Sequence, residues 1–134
     1  MTGNGTPSAR EGTVAIPGLP PTVNATRRLH PMARAAEMRR WRAAAQMLGR
    51  DAWPHAAPID PADVELVFVL PDRRLHDIDG LVGAAKPILD GLVDAGILAG
   101  DDTRHVRSIH ASHRVIPGVR EVRVTVRTAT ESAL

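Results

Sequence analysis

Aspartates between positions 72 and 102 are the residues best suited to carry out chemistry. This stretch holds seven aspartates and no glutamate, against two arginines and one lysine, which gives a local formal charge of −4. They concentrate at the ends of predicted elements, as Asp77-x-Asp79 and as Asp101-Asp102. In an extended segment Asp77 and Asp79 would lie on one face, and such carboxylates, with water in the remaining positions, suit Mg²⁺. A solvated acidic surface is the simpler alternative.

Residues 27–50 form a second charged segment, of opposite sign. It holds seven arginines and one glutamate, a local formal charge of +6, although the whole chain carries only +2. A basic segment of this kind can bind phosphate groups, and an exposed basic helix is the simpler alternative. The candidate phosphate-binding residues in this segment and in the link before Asp77 are Arg28, His30, Arg39, Arg40, Arg42, Arg73 and Arg74.

Lys86 is the sole lysine in a chain with sixteen arginines. Because a compact ammonium and a planar guanidinium are different chemical tools, the choice of lysine at this position favours a role at a phosphate. Lys86 lies seven residues after Asp79. On one continuous helix that spacing would place both side chains on the same face.

Length and composition exclude several classes of protein. The 134 residues suit one domain with a real core. The absence of cysteine excludes a disulfide framework and a thiolate metal site. No apolar run reaches the roughly 20 residues needed to cross a bilayer, and the N-terminus lacks the apolar stretch of a signal peptide. We therefore expect a cytoplasmic protein without a membrane partner, with a disordered tail over residues 1–12 and another tail over 129–134.

Apolar periodicity predicts a mixed α/β (α+β) domain in which two main helices pack on a mixed sheet. Residues 64–70 predict a central strand covered on both faces. Pro87 should kink or split the helix that contains it, and Pro117-Gly118 suits a type II turn. The helix before residue 50 should bury a stripe of Ala35, Met38, Trp41, Ala45 and Leu48. The predicted order is strand 13–16, helix 31–49, strand 64–70, helix 80–96, strand 104–116 and strand 119–127.

The region from Leu70 to Asp102 resembles the RusA family of Holliday junction resolvases. It begins Leu70-Pro-Asp-Arg-Arg-Leu-His-Asp-Ile-Asp-Gly and continues with Lys86-Pro-Ile-Leu-Asp-Gly-Leu, a Gly turn and Asp-Asp. The family pattern is a strand, a Pro-Asp-Arg-rich link, Asp-x-Asp-Asn, Lys-x-x-x-Asp-Ala-Leu on a helix, a Gly turn and Asp-Asp. Upstream, Leu19-Pro-Pro-Thr-Val-Asn24 is similar to the family's opening Pro-Pro-Ser-x-Asn. The resemblance covers most of residues 16–127.

The resemblance implies that residues 13–128 form a RusA-like nuclease domain of bacterial or phage origin. It implies that Asp77, Asp79 and Asp102 bind Mg²⁺ and that Lys86 contacts the scissile phosphate or its transition state. The implied substrate is a four-way junction or other branched DNA, resolved by paired symmetric nicks in recombination and repair. The candidate phosphate-binding residues would then be DNA-binding residues that hold the DNA backbone. Two nicks need two active sites, which a two-fold homodimer would supply.

Some positions match the family less well and leave alternatives open. Asp90 and Asp101 match the motif, but a solvated helix face for Asp90 and a turn or capping role for Asp101 compete with a role in the site. Gly80 stands where the family has Asn, and six residues separate Asp79 from Lys86 where the enterobacterial type has three. The alternatives are a Mg²⁺ nuclease for other branched or flap DNA and a catalytically weakened branched-DNA-binding protein. A nucleotide-sugar or phosphate enzyme is disfavoured because the chain lacks a Gly-rich phosphate loop.

Overall fold

The computed structural model describes residues 10–54 and 57–130, which form four strands and four helices. In chain order these are β1 (Glu11–Pro17), α1 (Val23–Thr26), α2 (Pro31–Ala52), β2 (Ala62–Leu70), α3 (Ile78–Ala84), α4 (Lys86–Asp94), β3 (Val106–Val115) and β4 (Glu121–Thr128). The order confirms the predicted α+β class and the split of one helix at Pro87. No helix in residues 10–54 and 57–130 combines the length and apolarity that a membrane crossing requires.

The strands form one mixed sheet in the order β1-β4-β2-β3. Strand β4 is antiparallel to both β1 and β2, whereas β2 and β3 are parallel and are joined through α3 and α4. The β2–β3 register pairs Leu70 with Val115, so the carboxyl ends of these two strands lie side by side. Ligands commonly bind at this edge of a parallel strand pair.

The turn predicted at Pro117-Gly118 is confirmed, although the strands on either side of it do not pair with each other. Val119 N–H donates to the Ile116 carbonyl at 3.0 Å, and Gly118 has φ +76°, as a type II turn requires. The chain passes across the end of β2, which pairs with β3 on one side and with β4 on the other.

The core lies between one face of the sheet and the helices. Alternate residues of β2 and β4 are buried against α2, α3 and α4, and the alternation predicted for Val122, Val124 and Val126 is confirmed. Phe68, the only phenylalanine, has no solvent exposure. The buried alternate side chains of β2 and β4 supply much of the apolar area whose burial drives folding.

The other face of the sheet is polar, which corrects the prediction that β2 is covered on both faces. Asp63, Glu65 and Val67 are only half-buried, and Glu65 pairs with Arg127 across the sheet at 3.2 Å. Only at its carboxyl end, where Val69 is also buried, does β2 have apolar residues buried on both sides. A nearly continuous apolar run is therefore also compatible with a strand that buries only one face, when the other face packs against side chains of the neighbouring strands.

Helices α2 and α4 pack closely because small residues lie at their crossing. A Cβ placed on Gly91 of α4 would lie 2.4 Å from the Arg42 carbonyl oxygen and 2.6 Å from the Ala45 Cβ. On α2, Gly49 is similarly close to Ala95. The absence of side chains at these points brings the two helical backbones together.

The first turns of α2 leave the core, which corrects the predicted stripe. Ala45 is buried and Trp41 and Leu48 are half-buried, but Ala35 and Met38 are exposed. The reason is length: 22 residues span about 33 Å, more than the sheet and the short α4 can cover.

The tail boundaries differ slightly from the prediction at the N-terminus. Strand β1 begins at Glu11, and Glu11 and Gly12 pair with Arg127 and Val126 of β4, so these two residues belong to the sheet. The predicted tail residues 1–9 and 131–134 lie outside the described residues.

Candidate functional site

A cleft of about 640 Å³ lies at the carboxyl ends of β2 and β3. Its walls come from the β2–α3 loop (residues 71–77), the start of α3 and the end of β3. We call it the carboxyl-end cleft. It is lined by Leu70, Arg73, Arg74, Leu75, His76, Asp77, Ile78, Asp79, Leu81, His113 and Val115.

Four of the predicted site residues meet in this cleft. Asp77 and Asp79 share it with Arg73 and Arg74, and all four side chains are exposed. Two carboxylates and two guanidinium groups in one cleft offer ligands for a divalent cation and donors for a phosphate. This arrangement is the strongest geometric support for the predicted site.

The local backbone at Asp77-x-Asp79 differs from the extended form that was predicted. Asp77 is extended, with φ −81° and ψ 122°, and occupies the N-cap position of α3. Ile78 begins the helix, so Asp79 lies in its first turn, where its Oδ1 accepts a hydrogen bond from Gly80 N–H at 3.0 Å. A carboxylate in the first turn is stabilised by the helix dipole, which explains why the helix begins here.

Lys86 lies in a second cluster, with Asp90 and Asp101. Its Nζ donates to Asp90 Oδ1 at 2.7 Å, one helical turn away on α4, and to Asp101 Oδ2 from the loop before β3. Asp101, then Asp90, raises the pKa of the Lys86 ammonium, and Lys86 lowers the pKa of the Asp101 carboxyl. Lys86 is thus charged, and two carboxylates hold it in place.

Asp79 and Lys86 lie on two different helices, α3 and α4. The helix breaks at Ala85, the C-cap of α3 and the N-cap of α4, because Pro87 cannot continue the hydrogen bonding of α3. No hydrogen bond or ion pair among the described residues joins Asp79 to Lys86. The shared face expected for Asp79 and Lys86 required one continuous helix, and the break predicted at Pro87 removes that condition.

Asp102 makes its contacts within its own loop. Its carboxylate accepts hydrogen bonds from Arg104 N–H and from Arg104 Nη2, both at 2.9 Å, and Arg104 lowers the pKa of the Asp102 carboxyl. Asp102 precedes the amino end of β3, whereas Asp77 follows the carboxyl end of the parallel strand β2. No described contact joins Asp102 to Asp77 or Asp79.

The donor chemistry of the carboxyl-end cleft fits Mg²⁺. Mg²⁺ is commonly held by one or two carboxylates together with substrate phosphates and water, and Asp77 and Asp79 supply two carboxylates in one cleft. Within residues 10–54 and 57–130 no group of three His, Cys, Asp or Glu is arranged to hold a metal ion. Asp102 as the third ligand stays a prediction.

The basic residues of α2 divide into paired and unpaired arginines. Arg42 makes a two-bond ion pair with Asp94 of α4, at 2.6 and 3.0 Å, and Arg40 pairs with Glu37. Arg39 is exposed and makes no ion pair with another described residue. Of the predicted DNA contacts on this helix, Arg39 therefore has the guanidinium best placed to meet a phosphate.

The two candidates before α2 are both exposed, and one has a structural role. His30 is the N-cap of α2, where its Nδ1 accepts a hydrogen bond from Met32 N–H at 3.1 Å. Arg28 lies in the turn that precedes it. Contact of either residue with DNA stays a prediction.

Sequence reasoning missed His113, Leu75 and Val115 as residues of the carboxyl-end cleft. His113 and Val115 lie on β3, 36 and 38 residues after Asp77, and reach the cleft because β3 pairs in parallel with β2. Only the strand pairing could have indicated this. Leu75 lies beside the predicted Arg73-Arg74 pair but has no pattern that marks an apolar residue as functional.

Comparison with known proteins identifies no relative of this chain among family models or curated proteins. No protein-family model matches the chain, and no curated protein matches it with significance. The interpretation of the cleft therefore depends on its residues and on the motif resemblance.

Proposed function

We propose that this chain is a Mg²⁺-dependent endonuclease of the RusA type that nicks branched DNA and resolves four-way junctions. One observation carries the proposal: Asp77 and Asp79 line the same cleft as Arg73 and Arg74. The motif residues that resemble the family and the basic face of α2 are consistent with it. A phosphodiester in this cleft would meet carboxylates for a metal ion and guanidinium donors together.

The proposed roles follow from the chemistry of each side chain. Asp77 and Asp79 hold Mg²⁺, which when bound supplies an activated water and Lewis-acid stabilisation of phosphate charge. Arg73 and Arg74 bind phosphate oxygens and fix the backbone in the cleft. Lys86 contributes its ammonium where negative charge grows on the phosphate, which requires it to exchange a carboxylate partner for the phosphate.

Binding outside the cleft is assigned to the exposed arginines of α2. Arg39 and its exposed neighbours contact the DNA backbone without reading sequence, so their contribution is sensitive to salt. Two symmetric nicks need two such sites, and a two-fold homodimer provides them. Sedimentation should then give twice the chain mass of 14.4 kDa.

The test is cleavage by Asp77→Asn, with Asp51→Asn as a matched control. Asp51 is an exposed aspartate of α2 outside the cleft. We expect the wild type and Asp51→Asn to nick a four-way junction in Mg²⁺ and to spare a linear duplex. Asp77→Asn should bind the junction at least as well in Ca²⁺, because a negative charge near phosphate is removed, and should not nick it. Nicking by Asp77→Asn at the wild-type rate would remove Asp77 from the metal site.

A branched-DNA-binding protein with weakened catalysis is the second candidate. Three observations favour it: Asp102 is engaged by Arg104, Lys86 is engaged by two carboxylates, and Gly80 lacks the amide that the family carries. Tight junction binding by the wild type with no nicking of junction or flap DNA in Mg²⁺ would establish this alternative.

A further inference from the structure

Leu75 is the most exposed of the large apolar side chains in the described part of the chain. Its relative exposure is 96%, and it lies in the β2–α3 loop between Arg74 and His76, at the carboxyl-end cleft. A single exposed leucine is ordinary on a protein surface. An apolar residue that is almost fully exposed between basic residues, beside two carboxylates suited to a metal, is a more specific arrangement.

The ends of the β2–α3 loop are anchored to the turn between β3 and β4 and to α3. Gly118 N–H donates to the Pro71 carbonyl at 3.2 Å, and Leu81 N–H donates to the Asp77 carbonyl at 3.1 Å. Inside the loop Asp72 Oδ1 accepts a hydrogen bond from Arg74 N–H at 2.9 Å. Leu75 therefore projects from a loop with fixed ends, which reduces the ordering cost of inserting it into a partner.

The charged groups around Leu75 favour DNA as that partner. Arg73 and Arg74 precede it, and Arg120 lines the adjoining groove with Arg74. Guanidinium groups bind phosphates on either side of a base step, while an apolar side chain between them can enter the step. Proteins that kink DNA insert leucine and similar side chains between bases in this way.

We propose that Leu75 inserts between bases at the branch point of DNA bound in the carboxyl-end cleft, and that this insertion selects branched over linear DNA. The inference rests on the proposed function. Separating stacked bases costs free energy, and that cost is smallest where pairing is already interrupted. A wedge at the cleft therefore favours a branch point and opposes intact duplex.

The experiment compares Leu75→Ala and Leu75→Met with Met47→Ala, a control on an apolar residue of α2 that is 63% exposed. Binding in Ca²⁺ is measured on an immobile four-way junction and on a linear duplex. Each DNA contains one 2-aminopurine base, which in the junction lies at the branch point. Leu75→Ala should weaken junction binding by about tenfold, which corresponds to roughly 1.4 kcal/mol, without changing duplex binding. It should also remove the fluorescence rise that accompanies unstacking at the branch.

The remaining outcomes separate the wedge from the proposed function. Leu75→Met, which retains an apolar side chain of similar volume, and Met47→Ala should behave as the wild type. If Leu75→Ala keeps the fluorescence rise, or weakens junction and duplex binding equally, the wedge is overturned while nicking by the wild type still supports the nuclease. If the wild type does not prefer junction to duplex, the proposed function fails and the wedge fails with it.

Discussion

At the scale of single residues, the two ion pairs of Lys86 say most about how the proposed site is arranged. Its ammonium is held by Asp90 from the same helix and by Asp101 from the loop before β3. Such pairs at a half-exposed surface contribute little to stability, so their main effect is to direct the side chain. Asp90 and Asp101 are therefore best described as residues that position Lys86.

Lys86→Ala should lower the single-turnover rate of junction nicking by about 100-fold or more, the size typical of losing one transition-state donor. Junction affinity in Ca²⁺ should change little, because ground-state binding depends mainly on arginines. Lys86→Arg should restore the rate only in part, since a planar guanidinium does not reproduce a compact charge. Normal cleavage by Lys86→Ala, or a loss explained by binding alone, would contradict a catalytic role.

Asp101→Asn should give a smaller loss of nicking rate than Lys86→Ala, because the lysine keeps its charge and its bond to Asp90. In the Lys86→Ala background, Asp101→Asn should cost nothing further, since there is no ammonium left to position. The double-mutant cycle on the single-turnover rate measures this coupling. Equal and additive effects would show that Asp101 acts on the substrate or metal independently of Lys86.

At the scale of elements, the crossing of α2 and α4 depends on Gly91. The motif resemblance places an alanine at this position of the family pattern, whereas this chain has glycine with the α2 backbone against it. The crossing also aligns Arg42 with Asp94 and brings α2 beside the helix that carries Lys86. The close packing of α4 on α2 thus sets the separation between α2 and the cluster of Lys86, Asp90 and Asp101.

Gly91→Ala should destabilise the fold by about 1–3 kcal/mol, the usual cost of overpacking, because its Cβ would meet the Arg42 carbonyl at 2.4 Å. Gly83→Ala is the matched control: a Cβ on Gly83 of α3 would meet no atom within 4 Å. The better helix propensity of alanine should stabilise that variant by up to about 1 kcal/mol. Urea unfolding of both variants measures the difference, and equal midpoints would contradict the close crossing.

Arg39→Ala should reduce the slope of log affinity against log salt by up to about 0.9, the value for one lost phosphate contact, with no change in the urea midpoint. Arg42→Ala should instead lower the urea midpoint slightly, because it removes the partner that Arg42 provides for Asp94 of α4, and such half-exposed pairs contribute little to stability. Salt titration of junction binding, together with unfolding of both variants, makes this comparison. A salt slope unaffected by Arg39→Ala would indicate that this face of α2 is solvated and unbound.

At the scale of the whole molecule, charge is arranged as pairs that join separate elements. Arg42–Asp94 connects α2 with α4, Lys86–Asp101 connects α4 with the loop before β3, and Arg127 connects β4 with Glu11 of β1. Arg42 lowers the pKa of Asp94, as Lys86 does for Asp101. These carboxyl groups bind protons less readily in the folded state than in the unfolded chain.

Stability should therefore fall as the pH is lowered through about 4, where free carboxyl groups begin to take up protons. A depressed pKa contributes stability above the unfolded pKa, and that contribution is lost as the pH falls through the folded value. Asp94→Asn should lose less stability than the wild type between pH 7 and pH 3, measured by the urea midpoint, and high salt should reduce the difference. A larger acid-induced loss in Asp94→Asn would contradict the assignment.

The elements of this fold could be predicted from sequence because their signals are local. The alternation of Val122, Val124 and Val126, the break at Pro87 and the turn at Pro117-Gly118 each depend on steric or burial preferences of neighbouring residues. Local patterns also indicated Asp77 and Asp79 as metal candidates and Arg73 and Arg74 as DNA-binding candidates, and the structure places all four in one cleft. The prediction from local patterns was wrong where it extended one buried stripe over the first turns of α2, which leave the core.

Tertiary structure alone decided which distant residues meet. The parallel pairing of β2 with β3 brings His113 and Val115 to Asp77, the path of the loop before β3 brings Asp101 to Lys86, and the helix crossing places Gly91 against Arg42. Each of these contacts arises because burial of the whole apolar face selects one strand order and one helix packing. The favoured arrangement depends on the free energy of the entire chain, so the spacing of residues within a single segment cannot predict these contacts.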